Sequence, residues 1–367
     1  MARRPSSRRS GTRADTGGVA TREQGRPAIT RLGEEGLYTL IGALGSPYSM
    51  KLRAVMRYRR IPHVFVMRTA AVRAEVAHVR PQIIPMLRLP GDDAWHVDTT
   101  PQIEMLERRH VDRSVIPDDP AQAFLAALIE DMADEWLTKA MFHFRWARPV
   151  DQDYGARWII DDGAPELAGE ARERAVRAIA ERQIGRMALV GCTPENAPVI
   201  EASYRSVLAA LNPMVNLNRH LFGSRPSVAD FGLFGQLTTL ATDPTPMALM
   251  RETAMRVESW VRQLDDAGGL EGDWDEGGAD WSPAVVDLIR IAGAEYLPFL
   301  VANATALAAG AAEVRVEIAE RDWVQAPFGY QAKCLAALRD RFAALDESAR
   351  SRLAPLLGDT GCLDALV

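Results

Sequence analysis

Two rhythms of hydrophobic and polar positions run along this chain, and the change between them divides it. Leu37-Tyr38-Thr39-Leu40-Ile41 is a short apolar run closed by Gly42 to Pro47, which predicts a buried strand. From Tyr48 to Arg60, Leu52, Val55 and Met56 share one helical face while Arg53, Arg57 and Arg60 share another, the pattern of an amphipathic helix. Ile61-Pro62 ends it, because proline disfavours helical geometry in the residue before it, and His63 to Met67 forms a second apolar run. Strand, helix and strand in that order imply parallel pairing through a right-handed crossover. Ile84 to Leu89 and Trp95 to Asp98 flank the turn sequence Pro90-Gly91-Asp92-Asp93 and predict a hairpin. Thr99-Thr100-Pro101 then opens a helix, with threonine as the cap and proline in the first turn.

After Pro117 to Pro120 the rhythm is helical for a long stretch. Leu125, Leu128, Ile129, Met132 and Trp136 keep helical spacing, and Met247, Met250, Ala254, Val257, Val261 and Leu264 form an apolar stripe. About four to six helices are expected between Ala121 and Leu264. Asp265 to Asp280 is acidic and Gly-rich and predicts a solvated loop. Beyond it, Val285 to Ala292 and Leu335 to Leu345 have helical spacing, while Val314, Val316 and Ile318 alternate like a strand. The expected organisation is a disordered basic tail over 1–35, an α/β domain over 36–112, an all-helical domain over 120–265 and an extension over 281–367 packed on the helical domain.

Composition narrows the partners. The 367 residues carry a net charge of −6, so no global positive field draws the body to nucleic acid or an anionic membrane. Cys192, Cys334 and Cys362 are far apart and make no C-x-x-C pair, which predicts buried thiols in a cytoplasmic protein. The most apolar stretch, Tyr296 to Ala312, contains Pro298 and Asn303 and is expected to be a buried helix, not a membrane span. The Arg-rich first thirty residues lack the apolar core of a secretory signal. There is no G-x-G-x-x-G, G-K-[ST] or G-x-S-x-G motif, so neither nucleotide binding nor serine hydrolysis is supported. No second ligand stands at metal-binding spacing from His143, so no metal is expected.

The chemistry concentrates at the first strand-to-helix turn. Ser46-Pro47-Tyr48-Ser49-Met50-Lys51 begins a helix, where unpaired N–H groups and the helix dipole favour negative charge. With Ile84-Pro85-Met86-Leu87, Asp98-Thr99 at the end of the fourth strand, and the S-x-x-D box Ser227-Val228-Ala229-Asp230, the order of motifs resembles that of serine-type glutathione transferases. The resemblance covers about Leu37 to Leu264. It implies a thioredoxin-like domain followed by an all-α glutathione-transferase C-terminal-like domain. It also implies that Ser46 holds the sulfur of glutathione as a thiolate, with Tyr48, Ile84, Pro85, Asp98 and Thr99 around the peptide. Pro85 would be cis, and Asp98 would receive the γ-glutamyl ammonium. The partners implied are a small-molecule thiol and an electrophile, with a homodimer as the possible assembly. Trp136 and His143, on the first long helix, would line the electrophile's pocket. Where several relatives carry lysines before the I-P segment, this chain has Arg80-Pro81-Gln82-Ile83, so a cationic contact to the glycyl carboxylate is expected to be missing. The alternative is an interaction module that keeps the fold without the chemistry.

Overall fold

The computed structural model describes residues 36–217, 219–278 and 280–367; the basic segment 1–35 lies outside them. Strand β1 (Tyr38–Gly42), helix α1 (Pro47–Tyr58) and strand β2 (His63–Met67) form the expected parallel unit, with Tyr38 opposite His63 and Gly42 opposite Met67. Strands β3 (Met86–Arg88) and β4 (Trp95–Val97) add antiparallel to the other edge of β1, giving the order β2-β1-β3-β4. Helix α3 (Thr99–Arg109) closes the unit. This strand order and its connections make a thioredoxin-like domain. Alternate residues of β1 serve opposite faces: Leu40 joins the main core with α1, while Ile41 packs with Val76, Val79 and Met86 on the other side. That second face is covered by a helix absent from the sequence reading, α2 (Ala70–Glu75), which buries none of its side chains fully and so shows no apolar stripe.

The helical domain follows. Among the described residues it holds eight α-helices between Pro120 and Asp265, more than the four to six expected: α4 (Pro120–Met132), α5 (Thr138–Ala147), α6 (Pro149–Gly163), α7 (Gly169–Ile184), α8 (Ala197–Asn216), α9 (Val228–Leu240), α10 (Pro244–Thr253) and α11 (Met255–Asp265). Helices α6 and α7 bury few residues: Asp151, Gly155 and Ala156 on one, Val176 on the other. They share a small core with Trp146 that is separate from the main one.

Helix α9 runs through the middle of the domain, buried on nearly every side. Ser227 caps it by accepting from the Asp230 N–H, and Asp230 returns a bond to the Ser227 N–H, so the predicted capping box is present. Gly235 is required where α9 crosses α1: a side-chain carbon there would lie 2.8 Å from the Pro47 carbonyl oxygen. The turn that begins α1 is thus pressed directly against the helical core.

The extension comprises α12 (Pro283–Ile291), α13 (Leu297–Ala308), the hairpin β5 (Val314–Ile318) and β6 (Arg321–Gln325), α14 (Gly329–Ala343), α15 (Glu347–Asp359) and α16 (Leu363–Leu366). β6 and α15 were not foreseen. Trp323 of β6 packs against Trp136 and Phe299, and the Lys139 ammonium sits 4.7 Å from the Phe299 ring centroid, bonded to the Gln325 Oε1 at 2.9 Å. This cluster joins the extension to the helical domain. The acidic loop is not simply solvated: Asp265 accepts from Arg53 at 2.6 Å and Glu271 from Arg113 at 2.7 Å, tying it to the α/β unit. All three cysteines are free and buried. Among the described residues, no helix is long and apolar enough to cross a membrane.

Candidate functional site

The α/β unit and the helical domain meet along a cleft whose larger compartment has a volume of ≈630 Å³. Its lining brings together Ser46, Tyr48, Ile84, Pro85, Asp98 and Thr99, which lie on three separate segments of the chain. Each is positioned by local physics. Ser46 is the N-cap of α1 in extended geometry, its Oγ accepting from the Ser49 N–H at 3.3 Å. The hydroxyl hydrogen is left over for a ligand. Tyr48 Oη donates to the Asp134 carbonyl at 2.9 Å and so is fixed to the opposite domain. The Ile84–Pro85 peptide bond is cis, as is Arg80–Pro81. Asp98, not Thr99, caps α3: its Oδ1 accepts from the Thr100 N–H at 3.3 Å, with a backbone φ of 75°. Thr99 falls one position inside the helix, and its hydroxyl turns towards Asp134, 3.5 Å away. The short aspartate side chain suits this left-handed position better than a β-branched threonine does.

Trp136 and His143 do not line the cleft. Trp136 is 3% exposed, with Nε1 donating to Ser203 Oγ at 3.0 Å and Glu295 Oε2 at 2.9 Å. His143 is buried beside Glu201, 3.0 Å from its carboxylate, and burial lowers its pKa. The wall is built instead by Thr138, Met141, Phe142 and Arg145, which share one face of α5 by helical spacing. A π-helical turn, Ala133–Leu137, joins α4 to α5. Its extra residue rotates everything downstream by about 100° relative to an unbroken helix.

The end of α4 and this turn together present acids that the sequence reading missed. Asp131, Asp134 and Glu135 line the cleft, and Glu130 stands behind them. The signal was available: four carboxylates at i, i+1, i+4 and i+5 in an otherwise apolar helix. Their counter-ion is Lys51, from the turn that carries Ser46; it is fully buried, ion-paired with Glu130 and with Asp134 at 2.6 Å. Burial alone would lower the Lys51 ammonium, but Asp134 and Glu130 together hold it above its ordinary range. Burial and the Asp131 and Asp134 charges push Glu135 up to about 8, and burial pushes Asp131 up to about 6. The Tyr296 phenol donates to Asp131 at 2.7 Å.

Cations line the compartment as well. Arg68, which follows β2, lines the compartment together with Arg145 and Arg186. Arg145 bonds Asp243 and, at 2.8 Å, the carbonyl of Gly45, the residue before Ser46. The extension also reaches the mouth of the cleft. Phe328 and Tyr330 line it, and Asn303, fully buried, holds the Phe328 backbone with one bond to its carbonyl at 3.0 Å and one from its N–H at 2.8 Å. Among the described residues, no group of three or more His, Cys, Asp or Glu is placed to hold a metal ion.

No known family model matches the chain, and no curated protein does. Solved structures do. A glutathione S-transferase of Methylobacterium radiotolerans, in complex with glutathione sulfonate, is 18% identical, covering 67% of this chain and 99% of its own with a TM-score of 0.41. One from Methylobacillus flagellatus with glutathione bound is 18% identical over 63% of this chain and 96% of its own, TM-score 0.40. The β-etherase LigF of Sphingobium is 15% identical over 68% of this chain and 98% of its own, TM-score 0.43.

Proposed function

We propose that this chain binds glutathione in the cleft and presents its thiolate to a small electrophile. The observation that carries the reading is convergence: Ser46, Ile84, Pro85 and Asp98, far apart in sequence, line one open compartment, and the extension borders it without filling it. In this reading the sulfur lies at the N-terminus of α1. There the Ser46 hydroxyl donates to it while its oxygen keeps the bond from the Ser49 N–H. A preorganised donor and the helix dipole favour thiolate over thiol, an electrostatic contribution without covalent catalysis. The γ-glutamyl ammonium meets Asp98, and the glycyl carboxylate meets Arg68. The electrophile takes the apolar side of the compartment, between Met141, Phe142 and Phe328.

One contact favours a second reading, a binding module without chemistry: the Tyr330 phenol already donates to Asp98 Oδ2 at 2.9 Å. Calorimetric titration with reduced glutathione separates the two. A dissociation constant in the micromolar to low millimolar range, lost on Asp98→Ala, supports thiol transfer. No heat from the folded protein leaves the binding module.

A further inference from the structure

The four carboxyls that end α4 and enter the π turn are not alike. Glu130 and Asp134 share the Lys51 ammonium. Asp131 and Glu135, four residues apart, line the compartment, and among the described residues neither is in an ion pair. Lys139, a further four residues on, is turned away: its ammonium is bonded to the Val190 carbonyl at 3.0 Å and to Gln325 Oε1 at 2.9 Å. Two neighbouring carboxyls with no cation of their own cannot both ionise cheaply, because burial disfavours each charge and each charge disfavours the other. A proton therefore stays with the pair at neutral pH. Glu135 holds it more firmly, pushed up by burial and the two aspartates to about 8, against about 6 for Asp131.

Tyr48 ties this carboxyl to the Ser46 turn. Its phenol donates to the carbonyl of Asp134, the residue before Glu135, and lies 3.3 Å from Thr138 Oγ1. Ser46 and Glu135 thus face one open volume from opposite domains. The other groups around Glu135 hold their protons. Tyr48 of α1, Tyr296 before α13, and Tyr330 and Cys334 of α14 all lie within reach of its charge, and burial raises the pKa of each. The Gln331 amide of α14 donates to Glu135. Lys139 alone opposes the proton, and it is already bonded elsewhere.

We propose that Glu135 is the proton donor to the electrophile, giving its carboxyl proton to an oxygen that becomes negative as the sulfur attacks. This rests on the thiol-transfer reading. The C–S bond forms with the electron pair of the thiolate, the C–O bond breaks with its pair going to oxygen, and the Glu135 proton passes to that oxygen. The carboxylate left behind takes up the proton that the next thiol releases on binding. Thiol and epoxide, or thiol and ether, become thioether and alcohol, with no other reactant. The acid also sets the substrate class. An electrophile attacked at a carbon that bears oxygen needs the proton, whereas one that releases a halide does not.

Two acceptors of glutathione test it: nitrophenyl glycidyl ether, whose epoxide oxygen must be protonated, and chlorodinitrobenzene, which releases chloride. Glu135→Gln keeps the size of the side chain and removes the acid. It is expected to lower kcat/KM for the epoxide about 100-fold more than kcat/KM for the chloride. In the parent protein the epoxide reaction should fall as pH rises through about 8, where Glu135 ionises. That falling limb should be absent from Glu135→Gln and present, at a lower rate, in Glu135→Asp. Equal losses on the two acceptors, a falling limb that survives in Glu135→Gln, or a parent that turns over the chloride and not the epoxide overturns the role of Glu135 and leaves thiol transfer standing. No glutathione-dependent turnover of either acceptor by the parent removes both.

Discussion

Tyr330 and Asp98 are 232 residues apart in sequence and joined by a hydrogen bond of 2.9 Å at the mouth of the cleft. The phenol occupies one oxygen of the carboxylate proposed to receive the ligand's ammonium. Part of any binding energy is then spent displacing it. Tyr330→Phe is expected to tighten glutathione binding by about 0.5–1.5 kcal/mol, the net worth of one such bond. Calorimetry reads this directly, and weaker binding in the variant would show the phenol to be part of the ligand's site.

Ser46→Ala tests the proposed thiolate donor. As a cap, the hydroxyl contributes about 0.5–2 kcal/mol to stability, so the variant should fold. Its glutathione-dependent rate should fall about 100-fold or more, as when one preorganised donor is removed elsewhere. An unchanged rate removes Ser46 from the chemistry.

Lys51 is the cation common to Glu130 and Asp134. Lys51→Met leaves two carboxylates buried together, at an expected cost of about 3–5 kcal/mol in denaturant unfolding. The triple variant Lys51→Met/Glu130→Gln/Asp134→Asn should recover most of that loss. A single variant as stable as the parent would show that water reaches the cluster.

Glu135 gives a pH dependence whose sign is fixed. An acid with a raised pKa holds its proton more tightly folded than unfolded. Its contribution is therefore fully present below the ordinary value of 4.5 and is lost as pH rises to about 8. Asp131, raised to about 6, acts in the same direction over a shorter range. Thermal unfolding followed from pH 5 to pH 8 should show declining stability, and Glu135→Gln should flatten the decline and stabilise the protein at pH 8 by roughly 1–3 kcal/mol. A profile that rises over this range would mean that Glu135 is ionised at little cost.

The parts legible in the sequence are those whose cause is local. β1, α1 and β2 follow from apolar spacing and Pro62, the hairpin from Pro90 to Asp93, and the start of α9 from Ser227 and Asp230. What was missed has a non-local cause or no apolar signature. α2 and α6 bury too little to show a stripe. Trp136 and His143 were placed in the cleft because the resemblance puts their helix there, but both turn to the other side, onto Ser203 and Glu201 of α8, a packing choice with no local mark in the sequence. The contacts of Tyr330 with Asp98 and of Lys51 with Asp134 depend on which elements meet, and that is decided by the whole core.

The hairpin of α6 and α7 brings Ile159 and Gln183 to the cleft, and its packing cluster around Trp146, Ala156 and Val176 meets the main core through the half-buried Phe142 and Met187. Residues on its cleft side can therefore be exchanged without repacking Leu40, α1 or α9. The cleft thus has a side panel that can change with little effect on the frame, except at Trp158, which packs on Arg145 and Gly45 beside Ser46.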